Sequence, residues 1–169
     1  MTTIQKTTAR DLMRTEVLTL SPDDTIESAL ALLSDAGISG APVLGSDGRL
    51  LGALSLADIA RPEHVDGDRI TTMRGDNSRI AGSDDEEDEF DSEEKILKKE
   101  DYSPALLGRT LVSEWMSDTV VCVSPEDSLR TLCRTLVDAG SHRAFVTERG
   151  RMVGLVSTMD VMRLLATRD

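Results

Sequence analysis

One pattern in this chain occurs twice, and the repetition limits the folds that the chain can adopt. Residues 10–43 and 113–146 align at a constant offset of 103 positions, with 11 identities in 34 positions. One residue is then missing from a turn of the second copy, and the match continues at an offset of 102 through a Ser-x-x-Asp sequence in each copy. An internal repeat indicates two copies of one structural unit. Any binding site is therefore expected where the two copies meet.

Each copy predicts the same order of elements: a short helical lead-in, a strand, a helix, a β-hairpin and a closing helix. Apolar residues recur at the spacing of one helical face between positions 26 and 33, and again between positions 129 and 136. Ser21 and Ser124 each precede a proline, so we predict that they are the N-caps of the two long helices. The apolar runs 17–20 and 120–123 predict the first strands. This order predicts a mixed α/β (α+β) fold in which the two copies share a core.

A segment of unusual composition separates the two copies. Residues 84–94 carry nine acidic groups and no basic one, and the net charge of −12 becomes −3 when they are left out. We predict three regions: repeat 1 over 9–61, an acidic and largely flexible linker over 62–110, and repeat 2 over 111–169. The acidic run is expected to serve as a solvated spacer.

Composition and motifs exclude several classes of protein. No apolar run is long enough to cross a bilayer, the first ten residues lack the apolar part of a signal peptide, and no basic stripe suits nucleic acid. We therefore expect a cytoplasmic protein that binds neither membrane nor nucleic acid. The sequence contains no nucleophile elbow, Walker loop or histidine metal motif. It thus predicts no enzyme activity, no metal site and no tightly bound cofactor.

Four segments in each copy resemble the CBS domain, which is named after cystathionine β-synthase. The segments are 11–13, 17–26, 36–43 and 52–59 in repeat 1, and 115–116, 120–129, 139–146 and 154–161 in repeat 2. Two such signatures in tandem resemble a Bateman module and cover about 110 of the 169 residues. The resemblance implies a stand-alone regulatory protein whose two repeats β-α-β-β-α pack about a pseudo-two-fold axis, with two clefts between them.

The resemblance also implies a class of ligand. Paired CBS domains commonly bind adenosine-containing molecules, such as AMP, ADP, ATP or S-adenosylmethionine, in their clefts. In the family, the aspartate of a Gly-x-x-Ser-x-x-Asp signature accepts hydrogen bonds from the ribose, and the matching pairs here are Ser55–Asp58 and Ser157–Asp160. A Ser-x-x-Asp sequence at the start of a helix is also close to a capping box, so a purely structural role stays open.

The two copies differ just before the hairpin. Nucleotide-binding members of the family often carry basic residues there that reach phosphates, and His142 and Arg143 match this habit, whereas repeat 1 has Ser39 and Gly40. A solvated pair of side chains is the alternative. The difference predicts that one cleft binds phosphates better than the other. The candidate ligand-binding residues are Ile38, Ser39, Ala41, Ser55, Asp58, His142, Arg143, Ala144, Ser157 and Asp160.

Two functions remain in competition. The leading hypothesis is a sensor in which a bound adenine nucleotide favours one arrangement of the repeats, and so changes contacts within a homodimer or with a regulated protein. The alternative is a ligand-free module for dimerisation or partner binding, because every signature residue also has a capping, turning or packing role. A further hypothesis is that the acidic run 84–94 competes with nucleotide phosphates for Arg143.

Overall fold

The computed structural model describes residues 6–61 and 104–167, which contain most of both repeats. The elements in chain order are α1 (Ala9–Leu12), α2 (Ile26–Asp35), β1 (Gly40–Leu44), β2 (Leu50–Ser55), α3 (Leu56–Ile59), α4 (Pro104–Leu107), α5 (Val112–Trp115), β3 (Cys122–Val123), α6 (Leu129–Asp138), β4 (Arg143–Glu148), β5 (Arg151–Ser157) and α7 (Thr158–Ala166). The acidic run 84–94 and most of the predicted linker lie outside the described residues.

Each repeat contains a small β-sheet that combines antiparallel strand pairing with some parallel pairing. In repeat 2, β3 is parallel to β4, and β4 is antiparallel to β5. In repeat 1, β1 and β2 form an antiparallel hairpin, and Leu20 adds a single parallel bridge to Val43. The predicted mixed α/β fold is confirmed. The predicted strands at 17–20 and 120–123 are shorter than expected: β3 covers only Cys122 and Val123, and in the run 17–20 only Leu20 forms a bridge.

The two long helices begin four residues later than predicted. The N-caps are Thr25 and Ser128, and the prediction of Ser21 and Ser124 was wrong. Each true N-cap accepts a hydrogen bond at its side chain from the backbone N–H three residues later, at 3.2 Å. The Ser-Pro sequence instead forms a turn, in which the carboxylate of Asp24 accepts a hydrogen bond from the N–H of Ser21 at 2.8 Å.

The lead-in helix of each repeat packs on the other repeat. Val112 of α5 is fully buried in the core of repeat 1, and Ala9 of α1 is fully buried in the core of repeat 2. The N–H of Val112 donates to the carbonyl of Asp24 at 2.8 Å, and the N–H of Ala9 donates to the carbonyl of Asp127 at 2.9 Å. Each repeat therefore supplies a buried residue to the core of the other repeat. This exchange of lead-in helices is how the two repeats pack together.

Backbone pairing between the repeats follows the offsets of the sequence repeat. A bridge joins Arg14 to Leu155, and the equivalent bridge joins Ser117 to Ala53. Arg49 pairs with its own counterpart in repeat 2, so this pair lies on the pseudo-two-fold axis. Each lead-in segment is thereby held beside the second hairpin strand of the other repeat. This is the strand that ends at the Ser-x-x-Asp sequence.

The described part of the predicted linker 62–110 begins at residue 104. Leu107 of α4 packs against the core of repeat 1. Thr110 is buried, and its carbonyl accepts a hydrogen bond from the N–H of Ile26 at 2.9 Å. Residues 104–110 thus contribute to the packing of repeat 1. The flexibility predicted for the rest of the linker stays a prediction, because those residues lie outside the described ranges.

The exchange of lead-in helices predicts that Val112→Ala destabilises the protein by about 2 kcal/mol, because two buried methyl groups are lost from the core of repeat 1 and a cavity remains. Urea denaturation of the full chain measures this change. Val137→Ala is the matched control, since Val137 lies on α6 with 77% of its surface exposed and should change stability by less than about 0.5 kcal/mol. Equal effects of the two substitutions would contradict the exchange.

Candidate ligand-binding clefts

Two clefts open between the repeats. Cleft 1 has a volume of about 540 Å³ and lies between the start of α7 and the segments that precede α2 and β1. Cleft 2 has a volume of about 310 Å³ and lies between the start of α3 and the equivalent segments of repeat 2. Phe145 lines cleft 2 alone, and its counterpart in repeat 1, the smaller Pro42, lines both clefts. The larger side chain accords with the smaller volume of cleft 2.

Eight of the ten candidate residues line these clefts. Those in cleft 1 are Ile38, His142, Arg143, Ser157 and Asp160. Those in cleft 2 are Ala41, Ser55, Asp58 and Arg143. Ser39 lines neither cleft and accepts a hydrogen bond from Nη2 of Arg143 at 3.2 Å, and Ala144 is fully buried in the core of repeat 2. The structure therefore brings together most of the candidates, and their contact with a ligand stays a prediction.

Both Ser-x-x-Asp pairs form capping boxes at the starts of helices. In α7, the backbone N–H and the hydroxyl of Ser157 donate to Oδ2 of Asp160 at 3.0 and 2.6 Å, and Oγ accepts from the N–H of Asp160 at 3.3 Å. In α3, Ser55 and Asp58 make the same three contacts. One oxygen of each carboxylate therefore stabilises the start of its helix, and the other oxygen is the one that a ligand could use.

The same local pattern occurs elsewhere in the chain, away from the clefts. Asp11, Asp24 and Asp127 each accept a hydrogen bond from the backbone N–H three residues earlier, and none of the three lines either cleft. Asp58 and Asp160 make this contact too, but their second oxygens also receive arginine side chains. This backbone contact alone does not distinguish a site in this protein. Asp58 and Asp160 are distinguished because each belongs to a capping box, lines a cleft and accepts a hydrogen bond from an arginine.

The second oxygen of Asp160 accepts hydrogen bonds from two arginines. Arg14 donates to Oδ1 from Nη2 at 2.8 Å and from Nε at 3.2 Å, and Arg163 donates from Nη1 at 3.3 Å. The Asp160 side chain is only 10% exposed. This partial burial raises the pKa of the carboxyl, but the hydrogen bonds from Ser157 and Arg14 outweigh it and hold the pKa below its ordinary value. Asp160 is therefore a carboxylate at neutral pH.

Arg14 is a cleft residue that reasoning from the sequence missed. It follows α1 in the chain, and only the exchange of lead-in helices brings it to Asp160, 146 positions away. Its counterpart in cleft 2 is Ser117, while Oδ1 of Asp58 accepts a hydrogen bond from Arg61 of its own segment at 2.7 Å. A comparison of positions 14 and 117 in the repeat alignment was the one signal that could have identified it.

The two clefts differ in charge. The charged or titratable side chains that line cleft 1 are Arg14, Glu16, His142, Arg143, Asp160 and Arg163. Those that line cleft 2 are Asp58 and Arg143. With histidine neutral, cleft 1 carries one net positive charge and cleft 2 carries none. In addition, α7 has nine residues and α3 has four, so the start of the longer helix lies at cleft 1. The predicted asymmetry thus has two sources besides His142, which lines cleft 1 alone, whereas Arg143 lines both clefts.

Two findings concern only the described ranges 6–61 and 104–167. In these ranges, no three histidine, cysteine, aspartate or glutamate side chains are grouped so that they could hold a metal ion. In the same ranges, no helix has both the length and the apolar character that crossing a membrane requires.

Comparison with known proteins identifies the repeat unit. The family model of the CBS domain matches residues 9–63 and 112–167, which make up about two thirds of the chain. The protein MJ1426 of Methanocaldococcus jannaschii is 27% identical over 165 residues, covering 92% of this chain and 89% of MJ1426. The chain spans about half the length of two other curated relatives, at 42% and 57%.

Solved structures with the same fold include two complexes with small molecules. The crystal structure of CBSX2 in complex with AMP has a TM-score of 0.64 and 20% identity, covering 95% of this chain and 98% of CBSX2. The CBS domain pair of protein MJ0100 was solved with 5′-methylthioadenosine and S-adenosylmethionine. It has a TM-score of 0.62 and 16% identity, covering 96% of this chain and 98% of the pair. At these identities the similarity is one of fold.

Proposed function

This chain belongs to the CBS domain family, and we propose that it is a regulatory protein that binds an adenosine-containing ligand in the clefts between its repeats. The observation that carries the proposal is Oδ1 of Asp160, an ionised oxygen in the wall of a cleft of about 540 Å³. A ribose offers two adjacent hydroxyl donors, and a carboxylate can accept from both. The complexes of CBSX2 with AMP and of MJ0100 with S-adenosylmethionine support this class of ligand.

Cleft 1 is the better site for a ligand that carries phosphates. Its volume lies well inside the usual range of about 300–1,000 Å³ for small-molecule pockets, whereas cleft 2 is at the lower end. The fork of Arg143, which lines both clefts, suits a phosphate, and the imidazole of His142, which lines cleft 1 alone, can donate a hydrogen bond to one. The first turn of α7 favours negative charge as well. In this proposal, Asp160 accepts the ribose, Ser157 orients Asp160, and Ile38 provides an apolar wall.

Cleft 2 would accept the ribose of a second ligand in the same way. Asp58 has the same relation to Ser55 that Asp160 has to its serine, and Ala41 lies in the wall of the cleft. Ser39 would act through its hydrogen bond with Arg143. Ala144 is a fully buried residue of β4, so it would shape the cleft without touching the ligand.

The proposed role is regulatory and not catalytic. A ligand in either cleft touches both repeats, so it stabilises the arrangement of the repeats that fits it best. Such a shift can alter a surface that binds a second copy of the chain or another protein, provided the ligand prefers one arrangement. We propose a homodimer as the assembly through which the shift is transmitted, because α7 begins in cleft 1 and continues as an exposed helix.

One observation favours a second candidate function, a module for dimerisation or partner binding without ligand. Met159, Met162 and Leu165 of α7 are 55%, 62% and 50% exposed. Three large apolar side chains on one helix form the kind of patch that protein interfaces bury. This surface could serve an interface whether or not the clefts are ever filled.

Calorimetric titration of the full chain with AMP, ATP and S-adenosylmethionine tests the proposed function. We expect at least one of them to bind, and to raise the free energy of unfolding by about 2.7 kcal/mol at 100 times its dissociation constant. Sedimentation velocity on the same samples reports the oligomeric state. No heat and no thermal shift with any of the three, in a protein that sediments as a dimer, would favour the ligand-free module.

A further inference from the structure

The oxygen of Asp160 that the proposed function offers to a ribose is already engaged. Arg14 donates two hydrogen bonds to Oδ1, at 2.8 and 3.2 Å, and Arg163 donates one at 3.3 Å. A carboxylate oxygen has about two lone-pair sites, so these donors leave no room for ribose hydroxyls. Arg14 makes both of the shorter contacts. It is therefore the group that must move before a ribose can bind Oδ1.

Arg14 is built so that its side chain can move while its backbone stays fixed. The N–H of Arg14 donates to the carbonyl of Leu155 at 2.9 Å, and the N–H of Leu155 donates to the carbonyl of Arg14 at 3.0 Å. The side chain is 54% exposed and lines cleft 1. If the guanidinium of Arg14 leaves Asp160, it therefore stays close to cleft 1, because the fixed backbone and the four rotatable bonds of the side chain limit how far it can move.

We propose that Arg14 makes cleft 1 selective for phosphate-bearing nucleotides over uncharged nucleosides, an inference that rests on the proposed function. A nucleotide frees Oδ1 of Asp160 and brings a phosphate for the released guanidinium, so Arg14 exchanges one anionic partner for another. A nucleoside also has to displace Arg14, but it brings no anion to replace Asp160. The same side chain therefore favours the first class of ligand and opposes the second.

The remaining charges of cleft 1 act in the same direction, except for one. Arg143 lies on the repeat opposite to that of Arg14 and adds to the attraction for phosphate, while Glu16 opposes it. Glu16 is exposed, so solvent screens its repulsion. Arg163 stays on Asp160 when Arg14 leaves, so one lone pair of Oδ1 becomes free and accepts one ribose hydroxyl.

Cleft 2 provides an internal comparison. Ser117 occupies the position of Arg14 and has the same backbone pairing, with Ala53, at 2.9 Å in both directions. Cleft 2 thus has an aspartate with the same cap and the same lead-in geometry, but its lead-in segment brings serine in place of arginine. Selectivity between charged and uncharged ligands should therefore differ between the two clefts.

Arg14→Ser gives cleft 1 the residue of cleft 2 and tests the inference. The measurement is calorimetric titration of wild type and variant with AMP and with adenosine, fitted with two sites. We expect AMP to bind about fivefold more weakly to cleft 1 and adenosine about threefold more tightly, consistent with a half-exposed charge pair. The preference for AMP then falls by roughly 15-fold. A purely structural role of Arg14 would instead weaken both ligands together.

Two further variants sharpen the result. Arg163→Ser removes the other arginine from Oδ1 of Asp160 but leaves Arg14, so the preference for AMP should persist. Ser117→Arg should introduce a preference for AMP in cleft 2. An unchanged ratio of the two affinities in Arg14→Ser, or an equal loss for both ligands, would overturn the inference. If wild type bound S-adenosylmethionine but neither AMP nor adenosine, the inference would be wrong and the proposed function would stand. If none of these ligands bound, both would be wrong.

Discussion

Replacing Gly52 with alanine is expected to lower the free energy of unfolding by roughly 3–5 kcal/mol and the Tm by about 6–20 °C. The added Cβ would lie 2.5 Å from the carbonyl oxygen of Ser117 and 3.2 Å from the sulfur of Met116. That carbonyl accepts a hydrogen bond from the N–H of Ala53 at 2.9 Å. It cannot retreat without separating the lead-in segment of repeat 2 from the hairpin of repeat 1.

Two other glycines provide graded controls for this prediction. A Cβ at Gly154, the counterpart in repeat 2, would meet the sulfur of Met13 at 2.8 Å and a backbone carbonyl oxygen at 2.9 Å, and the methionine can shift. A Cβ at Gly45 would meet only flexible side chains, the nearest being Asp47 at 3.1 Å. The loss of stability in urea denaturation should therefore decrease from Gly52 to Gly154 to Gly45. Equal losses at all three positions would argue against close docking of the lead-in segments.

The local sequence is sufficient to predict the two long helices, α2 and α6, but not the residues at which they begin. The buried faces of α2 and α6 could be predicted, because an amphipathic helix records its packing in the spacing of its apolar residues. The sequence predicts their starts four residues too early, since a Ser-Pro sequence followed by an acidic residue suits both a helix N-terminus and a turn. The turn prevails here because the carbonyl of Asp24 receives the N–H of Val112 from the other repeat. That contact joins distant parts of the chain and leaves no trace in local sequence.

The candidate site divides in the same way. The pairs ending in Asp58 and Asp160 could be found because the repeat preserves them, and the structure places both in clefts. Arg14 could not be found from residues that the two repeats share, because its counterpart in repeat 2 is a serine. Shared positions of a duplicated unit predict what both clefts can bind. Positions that differ predict how one cleft departs from the other, and only the exchange of lead-in helices shows which cleft each of them serves.

Asp160→Ala is expected to weaken the binding of AMP to cleft 1 by roughly 10- to 150-fold. The substitution removes a charged acceptor for the ribose hydroxyls, and a hydrogen bond to a charged group contributes about 1.5–3 kcal/mol. The measurement is calorimetric titration of the folded variant, with the second site as an internal reference. Asp58→Ala should produce the complementary result, with cleft 2 weakened and cleft 1 unchanged.

Asp127→Ala is the matched control for the loss of a carboxylate that accepts a backbone hydrogen bond three residues away. Asp127 accepts a hydrogen bond from the N–H of Ser124 at 2.7 Å within the same Ser-x-x-Asp pattern, yet it lines neither cleft. Both alanine variants should lose stability, by about 0.5–2 kcal/mol for the lost hydrogen bond to the backbone, but only Asp160→Ala should lose affinity. If the two variants bound AMP equally well, Asp160 would be a helix cap alone. The ribose would then have to be recognised by another group in the cleft.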